Sequence, residues 1–226
     1  MIVSIHQPAY LPWLGYFDRI AASDLFIFLD TVQFEKNSFT NRNRIKTLHG
    51  LQWLTVPVLI QGHTQKNLLD LEIDTTQDWK KKHLRSIEQN YRRAPFFAGR
   101  FDRLAASYLP DATHLAALCY RQLNFWLAEL KIATRILRAS ELPVDGHKSD
   151  LILGLCGHVG ATTYLSGPLG RIYLQEDRFR AAGIELRYQD YVHPEYPQLY
   201  GAFVPALSIV DCWLNSSNLA FSRRGQ

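Results

Sequence analysis

Apolar and polar positions along the chain follow two different periods. Ile2-Val-Ser-Ile5 is a short β-branched run, and His6-Gln-Pro-Ala-Tyr-Leu-Pro12 after it is a loop punctuated by proline. Pro12 or Trp13 then stands in a first helical turn, where a missing N–H costs nothing. Leu14, Phe17, Ile20 and Ala21 fall on one helical face. Leu25-Phe-Ile-Phe-Leu29 is a continuous apolar run of the kind covered on both faces of a parallel sheet. Residues 2–29 therefore predict a right-handed βαβ unit.

Residues 30–50 are polar and rich in Asn and Arg, and predict a long loop at the carboxyl end of the second strand. Trp53-Leu-Thr-Val-Pro-Val58 predicts a third strand, with Pro57 near its end or on a sheet edge. Residues 62–75 show no clear period beyond a short strand at Leu69–Ile73. A helical block follows, capped at Asp78 and running through Tyr91, then again over about 96–108. Its clearest member is 114–137, where Leu115, Leu118, Cys119, Leu123, Trp126, Leu127, Leu130 and Leu137 form a stripe at helical spacing. Alternation returns with a helix at 147–158, a strand at Thr162-Thr-Tyr-Leu165, a turn at Ser166-Gly-Pro-Leu-Gly170, a helix at 171–182, a strand at Ile184–Tyr188 and a helix over 206–215. The pattern predicts an α/β fold: an open, mostly parallel sheet in one domain, 1–226, with a helical insertion at roughly 77–138.

Hydrophobic residues are 47% and charged residues 20%, a balance that excludes wholesale disorder. No apolar run reaches the ~18 residues that span a bilayer. The first residues lack the basic and apolar regions of a secretory signal. Cys119, Cys156 and Cys212 are an odd number with no short pairing spacing, so reduced thiols and a cytoplasmic location are expected. Lys and Arg number 25 against 21 Asp and Glu, an excess of 25 − 21 = 4. That excess suits small anionic ligands and is too small to argue for nucleic acid.

Open parallel sheets bind ligands outside the carboxyl ends of their strands. Three polar clusters are expected to converge there: His6 and Gln7 with Tyr10, Trp13 and Tyr16; Asp30 and Gln33 with the Asn41-Arg42-Asn43-Arg44 run; and Tyr164, Ser166 and Gly167 with Arg171. His6 precedes a helix N-terminus and offers either an acid/base group or a donor to phosphate; a structural bond to the loop backbone is the plainer role. Asp30 offers a ligand for Mg²⁺, a partner for His6 or a hold on a ribose, or simply a turn. Gln33 suits a ligand amide or hydroxyl. Arg42 suits carboxylate or phosphate, or else a solvated face. Lys148 opens a helix where its charge opposes the dipole unless an anion is near. Asp211 sits on the last helix. Neither a G-x-x-x-x-G-K-[ST] loop, a G-x-G-x-x-G fingerprint nor H-E-x-x-H is present, and Cys156-Gly-His158 lacks a second pair at metal-ligand spacing.

The run His6-Gln-Pro-Ala-Tyr-Leu-Pro-Trp-Leu-Gly-Tyr-Phe-Asp18 is long and unusual. With Phe28-Leu-Asp30, Gln33, Asn41-Arg-Asn43, Trp53-Leu-Thr-Val-Pro57, Gly160-Ala-Thr-Thr-Tyr-Leu-Ser-Gly167 and Leu207-Ser-Ile-Val-Asp211, it closely resembles the WbqC-like family of bacterial proteins. The resemblance implies a role near O-antigen or other surface-polysaccharide biosynthesis. This chain departs from the family pattern at Glu141, at Ser149-Asp150-Leu151 and at Ser216. The opening is also similar to that of pantothenate synthetases and other nucleotidylyl transferases. Their H-x-G-H signature is here Trp13-Leu-Gly-Tyr16, without either histidine.

Together these readings lead to an enzyme that binds a nucleotide or nucleotide-sugar, with ATP and Mg²⁺ as candidate cofactors, and transfers an acyl, aminoacyl or nucleotidyl group. His6, Asp30 and Gln33 would be catalytic. The competing expectation is a non-catalytic sugar- or partner-binding protein that stacks ligands on Tyr10, Trp13 and Tyr16.

Overall fold

The structure is a computed structural model and describes residues 1–59, 67–109, 111–217 and 221. Five strands form one parallel sheet: β1 (Ile2–His6), β2 (Leu25–Phe28), β5 (Arg135–Arg138), β6 (Thr163–Ser166) and β7 (Glu185–Tyr188). Their order across the sheet is β5-β2-β1-β6-β7. The chain thus lays strands outward from β1 on one side, then returns to its other flank. The α/β fold expected from the sequence is present.

Both faces are covered, as a parallel sheet requires. Along β2, Phe26 and Phe28 enter one apolar cluster while Leu25 and Ile27 enter the other. The first cluster takes in α1 (Leu14–Ala21), α2 (Trp79–Tyr91), α3 (Phe97–Ala106), α4 (Leu115–Leu130) and α7 (Ile209–Asn215). The second holds α5 (Lys148–His158) and α6 (Glu176–Ala181). The opening β1-α1-β2 unit matches its expectation, with β1 and β2 in parallel register from Val3↔Leu25 to His6↔Phe28.

Two expectations fail. Residues 30–50 are not all loop: β3 (Arg42–Thr47) and β4 (Gly50–Thr55) make an antiparallel hairpin outside the main sheet. Gly50, at φ +113, takes the left-handed backbone its turn needs. The strand expected at Trp53–Val58 is therefore the second arm of that hairpin. Second, α4 stops at Leu130 because Lys131 adopts φ 55, a left-handed C-cap. The chain then reverses into β5, which pairs with β2 from Leu25↔Arg135 to Phe28↔Arg138. Leu137 keeps helical spacing with the stripe but belongs to the sheet, so the helices after residue 77 end well before 138. Smaller differences are a 3-10 turn at Leu68–Asp70 in place of a strand, and a 3-10 turn at Pro168–Ile172 before α6 begins. Residues 62–66 lie outside the described residues.

Candidate active site

Strand order reverses between β1 and β6, and this is where an open sheet leaves a crevice. β1 pairs with β2 over four residues, through His6, but with β6 only at Ile2↔Thr163 and Val3↔Tyr164. Beyond that pairing β1 ends at His6 and β6 at Ser166, followed by Gly167. Gln189 closes the far end. Its N–H donates to the Ser166 carbonyl (2.8 Å), and its Nε2 donates to the Gly15 carbonyl and to Asp18 Oδ2, both at 2.9 Å.

His6 points to the α1 side. Its Nδ1 lies 2.8 Å from the Gln7 carbonyl, and since a carbonyl only accepts, Nδ1 carries the proton. Nε2 is left with its lone pair. The ring meets Tyr16 edge-on at 5.0 Å and Trp13 at 5.9 Å. Burial, and next the charge of Arg19, push the imidazole down to about 3, against the opposing bond to Gln7. His6 is therefore neutral at pH 7. Nε2 can accept a proton or hydrogen bond, whereas the donor to phosphate expected from the sequence is spent on Gln7.

Arg19 is the residue that the sequence did not single out. Beside Asp18 it reads as half of a surface pair; in the structure it is 5% exposed. Its Nε is buried with no hydrogen-bond partner. Burial pushes its guanidinium pKa down, against the opposing influence of the nearby phenols of Tyr164, Tyr16 and Tyr173. A Cβ on Gly167 would overlap its Nη1. The one available signal was the glycine of Leu165-Ser-Gly167, which leaves room for something to approach.

The other expected residues do not gather in one place. Trp13 and Gln7 are half-buried near His6, Ser166 and Gly167 stand at the end of β6, and Tyr16 is fully buried against the His6 ring, so it is no stacking platform. Tyr164 is buried, stacked on Phe179 at 5.8 Å. Arg171 lies over the Tyr188 ring at 3.9 Å. Tyr10 is no ligand platform: it is fully buried, and its hydroxyl bonds His83 Nδ1 (2.8 Å) and the Tyr108 hydroxyl (2.7 Å).

Asp30 does not face His6. Arg138 donates to its Oδ2 from Nε (3.0 Å) and Nη2 (2.9 Å), the Ser140 hydroxyl donates to Oδ2 (2.8 Å), and the Ser140 N–H donates to Oδ1 (2.9 Å). A carboxylate so engaged ties β2 to the end of β5. It is not free to hold Mg²⁺ or orient an acceptor, which corrects the expectation. Gln33 is exposed and forms a bridge with Asn67. Asn41 is structural, its Nδ2 donating to the Val56 carbonyl at 2.9 Å. Arg42 lies 4.4 Å over the Trp53 ring, and the rings of Trp53, Phe39 and Trp13 stand between it and His6. Lys148 is exposed at the start of α5. Asp211 is buried and accepts from the Tyr91 hydroxyl (2.6 Å) and the Tyr196 hydroxyl (2.9 Å); burial raises its carboxyl above the usual range. The guanidinium whose charge reaches the imidazole is thus that of Arg19, not Arg42, and neither expected carboxylate is among its partners. Among the described residues no three His, Cys, Asp or Glu side chains gather as a metal site.

An imidazole and a buried arginine stand at the strand-order switch of a doubly wound sheet, which defines the class of molecule as an open α/β protein. The WbqC-like protein family matches residues 7–222, and the chain belongs to that family. It is 42% identical over 215 residues to Rv1507c of Mycobacterium tuberculosis (strain ATCC 25618 / H37Rv), itself described as uncharacterized, covering 94% of this chain and 93% of that one. No solved structure matches. Among the described residues no helix is long and apolar enough to cross a membrane.

Proposed function

We propose that this protein is an enzyme of bacterial surface-glycan (O-antigen) biosynthesis that binds a nucleotide or nucleotide-sugar in the β1/β6 crevice and transfers an acyl, aminoacyl or nucleotidyl group. The observation that carries the reading is His6: a neutral imidazole with a free Nε2, held by Gln7 at the strand-order switch. In the transfer an acceptor hydroxyl or amine bonds the carbonyl carbon or phosphorus of the donor. Its proton passes to Nε2, and the leaving oxygen departs with its bonding pair and takes that proton back. Trp13 and Tyr16 fix the ring, so positioning supplies much of the effect. ATP, with Mg²⁺ as its accompanying ion, is the cofactor class of this reading, and it would supply the activated phosphoryl or acyl donor. Three buried free cysteines support a cytoplasmic place, where nucleotide donors are made.

Titration calorimetry with ATP and a panel of nucleotide-sugars tests the reading. Micromolar to millimolar binding is expected, and no heat at millimolar ligand with folded protein overturns it. The half-exposed rings of Phe39 and Trp53 beside Trp13 favour a second reading, a non-catalytic sugar binder. His6→Ala separates the two. An enzyme loses turnover by about 10²-fold or more, while a binder keeps its affinity within a few fold.

A further inference from the structure

We infer that the Arg19 guanidinium, wedged between α1 and the Ser166-Gly167 turn beside His6, anchors a phosphoryl group of the ligand. This deepens the reading above and rests on the β1/β6 crevice being the ligand site.

Arg19 carries a buried charge with no carboxylate partner among the described residues. Some arginines have a carboxylate partner, Arg138 with Asp30, Arg103 with Glu129 and Arg178 with Asp150; others, Arg42, Arg44 and Arg121, also keep an Nε without a hydrogen-bond partner but are only half-buried. Arg19 is more buried than any of these, yet no ion pair among the described residues includes it, and its Nε has no hydrogen-bond partner. Its neighbours Tyr16 and Tyr164 are phenols that burial keeps protonated, so they do not balance its charge. A buried guanidinium without a counter-ion is costly, and a fold that keeps one is compensated when the anion arrives from outside. The β6 turn lets the guanidinium come this close, since only a glycine at 167 clears Nη1. A helical side chain leans toward its helix N-terminus, which for α1 is the open, carboxyl-terminal end of β1.

The anion's chemistry follows from the pair. A guanidinium fork matches two oxygens of a phosphate or a carboxylate. His6 chooses between them. Its Nε2 is an acceptor and needs a donor opposite. A phosphate monoester, with a second pKa of about 6, still holds a proton near neutral pH, and that P–O–H can donate a hydrogen bond to Nε2 while two oxygens face Arg19. A carboxylate has none to give at that pH. The ligand group is therefore a phosphate with a titratable oxygen, such as a sugar phosphate or the terminal phosphate of a nucleotide.

The test uses the full chain with inorganic phosphate as the probe and acetate or chloride at matched ionic strength as controls. Phosphate is expected to raise the melting temperature and to shift the Arg19 Nε–H resonance in ¹⁵N NMR, while acetate does neither. Arg19→Met is expected to lower phosphate affinity by about 10- to 100-fold. Free of phosphate, it should melt no lower than the parent, because it removes an unpaired buried charge. Gly167→Ala, which displaces Nη1, should weaken phosphate binding in the same direction. Unchanged affinity in Arg19→Met, or acetate acting as well as phosphate, overturns the inference. If Arg19→Met does not fold, the parent's Nε–H resonance decides, and its indifference to phosphate overturns it equally. Nucleotide binding that survives Arg19→Met undiminished sinks this inference and leaves the crevice reading standing. Phosphate held by Arg19 with no nucleotide or nucleotide-sugar binding does the reverse.

Discussion

Replacing Asp30 by Ala separates a structural carboxylate from a catalytic one. In the folded protein Asp30 is fully buried and receives two bonds from Arg138 and two from Ser140, at 2.8 to 3.0 Å. Removing the carboxylate leaves the Arg138 charge and the Ser140 N–H without their acceptor. Breaking a buried ion pair in this way costs roughly 3–5 kcal/mol. The Arg138 side chain is 25% exposed and can turn partly to water, which places the loss near the lower end, about 3 kcal/mol. For a chain of this size that is a fall of about 6–12 °C in melting temperature. Urea unfolding followed by circular dichroism measures it. The double variant Asp30→Ala, Arg138→Met should recover at least about 1 kcal/mol, because no orphaned charge remains. A single-variant loss under about 1 kcal/mol, or a double variant no better than the single, refutes the argument and returns Asp30 to the list of free carboxylates.

Three further outcomes follow from particular contacts. Burial holds His6 down to about 3 and His83 down to about 4, so between those values and about 6.5 the unfolded chain binds protons that the folded one does not. This stability is complete above pH 6.5 and is lost as pH falls, by up to ~1.4 kcal/mol per pH unit for each ring. Denaturant midpoints at pH 7.5 and 5 should differ accordingly, and less so in His83→Gln; equal midpoints contradict the account. Asn43→Ala should cost about 2 kcal/mol in urea unfolding. The fully buried Asn43 donates to the Leu11 carbonyl (2.7 Å) and accepts from the Arg44 N–H (2.8 Å), and an unchanged midpoint would show that water replaces both. Gly15→Ala places a Cβ 2.8 Å from the Tyr191 ring and should push that ring off α1, seen as a rise in Tyr191 exposure to iodination without loss of helix content.

The opening βαβ unit was legible because its strands are short β-branched or aromatic runs and its helix carries a clean apolar face. β5 was not. Arg135-Ile-Leu-Arg138 is two apolar residues between charges, and Leu137 continues the spacing of α4, so only the left-handed turn at Lys131 reveals the break. A lysine announces such a turn far less clearly than glycine does. The β3–β4 hairpin was hidden for a related reason: Asn43 and Lys46 are polar residues that face inward, where their partners lie far along the chain. At the candidate site, the place of His6, Ser166 and Gly167 at the ends of β1 and β6 was legible because strand ends can be read from sequence. Asp30 was misassigned because a carboxylate at a strand end looks the same whether it awaits a ligand or already holds Arg138. Arg19 was missed because burial of a charge is decided by tertiary packing, here by the β6 turn that closes over it.

The central place of β1 has a consequence for synthesis. Its neighbour on one side, β2, leaves the ribosome soon after it, but its neighbour on the other, β6, begins only at Thr163. At about 5–20 residues per second that interval is roughly 8–30 s. Throughout it, one hydrogen-bonding edge of an apolar strand stands open, a template for pairing with other nascent chains. Slower elongation lengthens that exposure, so yield of native protein should depend on how quickly the ribosome crosses the helical middle of the message.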